Sequence, residues 1–130
     1  MTKEFKVLIV EDDAIISMDI EQRVKKAGWA VIGVEDRAEK VYEAVEKERP
    51  DIVLMDINIK GDSDGVTVAE KLLEDYGIHV IYITAYSDMS MKERSLKTDP
   101  LGYLVKPIRE AELTEMLEYA AERISRLKNL

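Results

Sequence analysis

Five short apolar runs constrain this chain most: Phe5 to Val10, Val31 to Val34, Ile52 to Met55, His79 to Thr84 and Leu101 to Val105. Each has the length of a strand and most are rich in Val and Ile. The segments between them carry apolar residues at helical spacing. Ile16, Ile20, Val24 and Ala27 precede Gly28, and Ala38, Val41 and Val45 precede Pro50, a glycine and a proline placed where helices stop. Val66, Ala69, Leu72 and Leu73 lead to Gly77, and Leu113, Leu117, Ala120, Ala121, Ile124 and Leu127 mark a last helix. Between Asp88 and Lys97 only Met89, Met91 and Leu96 are apolar, which predicts a short, loosely packed helix and the most mobile part of the domain. Strand and helix alternating five times is the pattern of an α/β domain, a parallel sheet with helices on both faces. With 130 residues, 46% of them apolar, the chain is expected to form one domain over residues 1–130 around one core.

Several function classes are excluded early. Lys and Arg number 19 against 27 Asp and Glu, a net charge of −8, so no concentrated basic face is available for nucleic-acid phosphates. There is no Cys and a single His, His79, which rules out thiolate zinc sites, imidazole clusters and cysteine nucleophiles and suits a reducing cytoplasm. The N-terminus has no long apolar stretch with a small-residue cleavage site, and no apolar run approaches the ~18 residues needed to span a bilayer. A cytoplasmic protein without membrane contact is the expectation.

In open parallel sheets, ligands bind beyond the carboxyl ends of the strands. The first strand runs into Glu11-Asp12-Asp13, where a nucleotide-binding fold would place glycines around a phosphate. The third runs into Asp56-Ile57-Asn58, and if the two strands are neighbours, Asp12 and Asp56 face each other. Carboxylates that close require a proton or a cation between them, and oxygen ligands without His or Cys select a hard cation such as Mg²⁺. The fourth strand ends at Thr84-Ala85, a hydroxyl beside a small residue, and the fifth at Lys106-Pro107, an ammonium on a backbone that a cis bond could fix. An acid pair, a further Asp, a hydroxyl and a cation together make the parts of phosphoryl transfer.

Val7-Leu8-Ile9-Val10-Glu11-Asp12-Asp13, Met55-Asp56-Ile57-Asn58, Asp64-Gly65, Ile83-Thr84-Ala85 and Gly102-Tyr103-Leu104-Val105-Lys106-Pro107-Ile108 resemble, as a set, the receiver domain of two-component response regulators, over essentially the whole chain. The resemblance implies a flavodoxin-like (βα)5 three-layer sandwich with the sheet in the order 2-1-3-4-5. It implies that Asp56 accepts a phosphoryl group from a phosphohistidine on a sensor histidine kinase or phosphotransfer protein, and that the chain catalyses only its own phosphorylation and dephosphorylation. Carried over by position, Asp12, Asp56 and the Asn58 backbone carbonyl hold Mg²⁺, with Glu11 acting through water. Thr84 and Lys106 contact the phosphoryl oxygens, and Tyr103 turns inward as Thr84 moves. Phosphorylation, adding about −1.5 to −2 charge, would then switch the surface of the fourth helix, fifth strand and fifth helix.

Two departures from the family pattern stand out. The stretch Ile59-Lys60-Gly61-Asp62-Ser63-Asp64-Gly65 is one residue longer and more acidic, without the usual Pro, and Tyr86 lies two residues after Thr84, where its bulk is expected to slow loss of the phosphoryl group. Asp13 reads equally well as a helix N-cap. His79 and Trp29 read as structural residues, and Met89 and Met91 as adaptable contact surface or core filling. A calcium loop starting at Asp56 fails, because Lys60 replaces an acid and Thr67 stands where a bidentate Glu is needed. A Toprim-like, Mg²⁺-dependent phosphodiester enzyme would want an Asp at Asn58 and has no use for Thr84 with Lys106. A receiver-like module that binds partners without phosphorylation usually lacks the acceptor or the acid pair, and both are present. The downstream effector or output domain is not specified by the sequence, and Arg123, Arg126 and Lys128 among acids on the last helix leave a phosphorylation-dependent dimer open.

Overall fold

The computed structural model describes residues 5–59, 63–85 and 91–128. It contains β1 (Lys6–Val10), α1 (Ala14–Lys26), β2 (Ala30–Glu35), α2 (Ala38–Lys47), β3 (Ile52–Asp56), α3 (Gly65–Tyr76), β4 (Val80–Thr84), α4 (Lys92–Leu96), β5 (Gly102–Val105) and α5 (Glu110–Lys128). The five strands form one parallel sheet in the order β2-β1-β3-β4-β5, as the resemblance implied. The strands differ from the apolar runs only at their ends. β2 extends from Ala30 to Glu35 because main-chain pairing with Lys6 and Val10 of β1 holds these residues whatever their side chains. β3 extends to Asp56, opposite Ile83 of β4, so this acid is the last residue of its strand.

Side chains of the central strands alternate between two cores. Leu8, Val10, Val53, Met55, Val80 and Tyr82 face α2 and α3, where they pack on Val41, Val45, Val68 and Leu72. Val7, Ile9, Ile52, Leu54, Ile81 and Ile83 face α1 and α5, against Ile20, Val24, Leu113, Leu117 and Ala120. Burial on both faces explains why the strand sequences are nearly unbroken apolar runs. The helices start and stop where the sequence directs. Asp13 caps α1, its carboxylate accepting from the N–H groups of Ile15 (2.9 Å) and Ile16 (3.1 Å). Gly77 closes α3 in the left-handed region, at φ +66°.

The short helix expected between Asp88 and Lys97 is α4, with five residues of which Ser95 alone is buried. Leu96 is 55% exposed. Met91 packs against the α2/α3 core, whereas Met89 and Tyr86 lie outside the described residues, as do Lys60, Gly61 and Asp62 of the lengthened loop. Trp29 is the packing residue expected, its ring 5.3 Å from that of Phe5. His79 precedes β4, with Nδ1 2.9 Å from the Asp99 carbonyl oxygen.

Candidate functional site

The parallel register brings the ends of β1, β3, β4 and β5 to one rim. Just past β1, the Glu11 N–H donates to the Glu35 carbonyl (3.0 Å), and the Glu11 side chain is fully buried. Asp12 is half-buried, its N–H donating to Glu11 Oε2 at 3.2 Å. Asp56 is 3% exposed and accepts at Oδ1 from the Asn58 N–H (3.0 Å), so the first turn after β3 folds back onto its own acid. Asn58 itself is exposed. One carboxylate oxygen from each of Glu11, Asp12 and Asp56 lies within 4.8 Å of the others.

Lys106 follows β5 and is drawn alongside β4 by its N–H, which donates to the Thr84 carbonyl (2.8 Å). The Lys106–Pro107 peptide bond is cis. The Lys106 ammonium lies 2.8 Å from Glu11 Oε1 and 3.3 Å from Asp56 Oδ2, nearer to Glu11 than to the acid the sequence singles out. The shorter of these two contacts is thus the one to the fully buried Glu11. Burial above all, then Asp56, pushes the Glu11 carboxyl up to about 8, against the opposing pull of Lys106. Burial works against the charge on Lys106 as well, but Glu11 and Asp56 outweigh it and hold its pKa above the usual lysine value.

Three clustered carboxylates, all oxygen donors, suit a hard divalent cation, which would relieve the repulsion between the acids. Thr84 is fully buried at the same rim, and its hydroxyl donates to the Ala85 carbonyl (3.0 Å). Thus Glu11, Asp12, Asp56 and Lys106 come together at this rim, with Thr84 at the end of the neighbouring strand.

Tyr103 stands on β5, half-buried and stacked on Tyr82 with ring centroids 5.5 Å apart. Its hydroxyl lies 2.6 Å from Ser95 Oγ. Because the Ser95 hydroxyl donates to the Lys92 carbonyl (2.7 Å), the proton shared with Tyr103 comes from the tyrosine. By the same reasoning Tyr82 donates to Thr98 Oγ1 (2.6 Å), whose own proton goes to the Ser95 carbonyl (2.6 Å). Two tyrosines from the sheet therefore hold α4 through Ser95 and Thr98. The sequence reading missed Tyr82, Ser95 and Thr98. It missed Arg94 as well, whose guanidinium reaches Asp64 Oδ2 (3.0 Å) and Thr67 Oγ1 (3.3 Å).

Comparison with known proteins bears on the family and the fold. The model of the response regulator receiver domain family matches residues 7–118. The transcriptional regulatory protein PdtaR of Mycobacterium tuberculosis is 29% identical over 125 residues, which are 96% of this chain and 60% of that protein. The phyllosphere-induced regulator PhyR of Methylorubrum extorquens is 34% identical over 116 residues, 88% of this chain and 43% of that protein. The chain thus spans about half the length of these curated relatives. Among solved structures, the signal receiver domain of a modulated diguanylate cyclase from Desulfovibrio desulfuricans is similar with a TM-score of 0.88 and 32% identity, over 95% of this chain and 98% of that one. The receiver domain of PhyR from Erythrobacter litoralis is similar with a TM-score of 0.76 and 32% identity, over 91% and 90% of the two chains. On the family match, the shared fold and the conjunction of residues at the strand ends, this chain belongs to the response regulator receiver domains.

Proposed function

We propose that Asp56 is the phosphoacceptor of a two-component phosphorelay, taking a phosphoryl group from a phosphohistidine on a sensor histidine kinase or phosphotransfer protein in a Mg²⁺-dependent reaction. The observation that carries this reading is the position of Lys106, whose ammonium lies within 3.3 Å of Asp56 inside a cluster of three carboxylates. An Asp56 carboxylate oxygen attacks phosphorus, the new O–P bond forms, and the P–N bond breaks with its electron pair returning to the histidine ring. Lys106 is close enough to meet the charge that develops on the phosphoryl oxygens, and Thr84, at the end of the neighbouring strand, can exchange its bond to the Ala85 carbonyl for one to the same oxygens. Asp12, Asp56 and the Asn58 carbonyl would hold Mg²⁺, with Glu11 acting through water. When bound, the ion supplies positive charge that lets an anionic donor approach this acidic rim.

Beside the site, Ile15 and Met18 of α1 are 81% and 60% exposed, and Ile15, Ile16, Pro107 and Ile108 line a groove of about 620 Å³. A phosphohistidine-bearing partner seated there would keep water from the transfer. Phosphorylation would then move Thr84 and Tyr103 and alter the surface of α4, β5 and α5 for an effector or an output domain. Residues 1–130 would act as one receiver unit.

The test is intact mass after incubation with a small phosphodonor, with and without Mg²⁺, for the protein and for Asp56→Asn. One added phosphoryl group that requires Mg²⁺ and is lost in the variant is expected. Addition that persists in Asp56→Asn, or no addition although Mg²⁺ binds, would overturn the proposal.

A further inference from the structure

The turn that follows Asp56 is joined to α4 by a route that does not pass through Thr84 or Tyr103. The Gly65 N–H donates to the Ile57 carbonyl (2.8 Å), and Gly65 lies so close to the main chain of Asp56 that a methyl group there would collide with the Asp56 carbonyl oxygen. Asp64, the residue before it, uses both carboxylate oxygens. Oδ1 caps α3 by accepting from the Thr67 N–H (2.8 Å), and Oδ2 receives the Arg94 guanidinium (3.0 Å). A second arm of the same guanidinium reaches Thr67 Oγ1 (3.3 Å). The planar fork of Arg94 thus ties the middle of α4 to the first turn of α3, and the first turn of α3 is packed against the phosphoacceptor's own backbone.

Resting on the reading of Asp56 as phosphoacceptor, we propose that Arg94 is a positioning residue that couples the Asp56 turn to α4 through Asp64, separately from Thr84 and Tyr103. A shift of residues 56–58 on phosphorylation displaces Gly65 and Asp64 and loosens the grip on Arg94. In the unphosphorylated domain the same contact holds α4 in place. Coupling of this kind is reciprocal, so α4 and the site bias each other through one contact.

The experiment is hydrogen exchange at the amides of Lys97, Thr98 and Asp99, which donate to the carbonyls of Arg94, Ser95 and Leu96, with and without phosphodonor and Mg²⁺. It compares the wild type with Arg94→Ala, Arg94→Lys and Asp64→Asn. Asn at position 64 still caps α3 but carries no charge for Arg94. In the wild type, phosphorylation is expected to speed exchange by about fivefold or more, the low end of ordinary allosteric coupling. In Arg94→Ala and Asp64→Asn exchange should already be faster, and the phosphorylation-dependent ratio should fall to less than about half its wild-type value, the remainder passing through Thr84 and Tyr103, with Arg94→Lys between, because an ammonium keeps the charge without the fork. A purely structural role would raise exchange in the variants while leaving the phosphorylation-dependent ratio at its wild-type value, and that result overturns the inference. So does a wild type whose α4 exchange ignores phosphorylation. Intact mass of each sample separates the two readings: failure of every protein to take up phosphate sinks both, whereas normal uptake with an unchanged ratio sinks this one alone.

Discussion

The close approach of Gly65 to Asp56 sets up a contest between two effects that can be weighed. Gly65 opens α3 with an ordinary negative-φ backbone, so replacing it with Ala carries no conformational penalty and gains up to about 1 kcal/mol of helix preference. Against this, the added methyl would stand 3.0 Å from the Ile57 Cα and 3.1 Å from the Asp56 carbonyl carbon, and closer still to the Asp56 oxygen. Comfortable carbon contacts are about 3.5–4.0 Å, so these two alone require the turn to retreat by roughly 0.5–1 Å, and the oxygen, being nearer, requires about 1 Å or more. The atoms in the way are backbone, with no rotamer to yield. Overpacking of this kind costs about 1–3 kcal/mol, which leaves Gly65→Ala about 0–2 kcal/mol less stable than the wild type after the full helix gain. At roughly 4 °C per kcal/mol for a domain of this size, thermal unfolding should shift down by up to about 8 °C. The larger effect is expected on chemistry, because a displacement of about 1 Å at a reacting group can cost around 100-fold in rate. Thermal unfolding and the rate of phosphate uptake from a small phosphodonor, followed by intact mass, check both halves. A variant as stable as the wild type and phosphorylated as fast would refute the claim that Gly65 is needed to let α3 begin against Asp56.

Two other outcomes follow from the same structure. Burial holds the Glu11 carboxyl at about 8 in the folded domain against 4.5 for a free glutamate, so between those values the folded state keeps a proton that the unfolded chain has released, and stability should fall as pH rises through this window. Urea unfolding across the window should show that slope and lose it in Glu11→Gln; an unchanged slope in the variant would assign it to another group. Asp13→Ala removes the acceptor of two helix N–H groups and should cost about 1 kcal/mol in urea unfolding without altering phosphate uptake by more than about twofold, since Asp13 is a cap and not a site residue.

The residues that announced themselves in the sequence share a physical origin. Strands buried on both faces must be apolar almost throughout, so the polar residues that end them, Glu11, Asp56, Thr84 and Lys106, stand out against that background. Parallel register then guarantees that ends of neighbouring strands meet at one rim. What stayed hidden depends on which element packs beside which. Ser95, Thr98 and Arg94 belong to a segment with hardly any apolar periodicity, and nothing local says that two tyrosines and an aspartate from three other elements will meet them. Tyr82 read as one more core residue because its ring is core and its polar tip alone does anything else. Glu11 was expected at the end of a water-mediated contact; that its side chain would be fully buried and take the nearer side of Lys106 follows from the packing around β1, which a strand-end pattern does not encode.

The way α4 is held also fixes the thermal character of any displacement it undergoes. The five strands and four longer helices are fastened by apolar burial, and undoing that burial exposes surface that raises the heat capacity and bends the temperature dependence of folding. Helix α4 contributes one buried side chain, Ser95, and is fastened by a hydroxyl chain and an arginine fork. Moving it exchanges hydrogen bonds and uncovers little hydrocarbon, so the change in heat capacity is small. The balance between its positions should therefore follow a nearly straight van't Hoff line over a range of temperature in which the stability of the domain beneath it traces a pronounced curve.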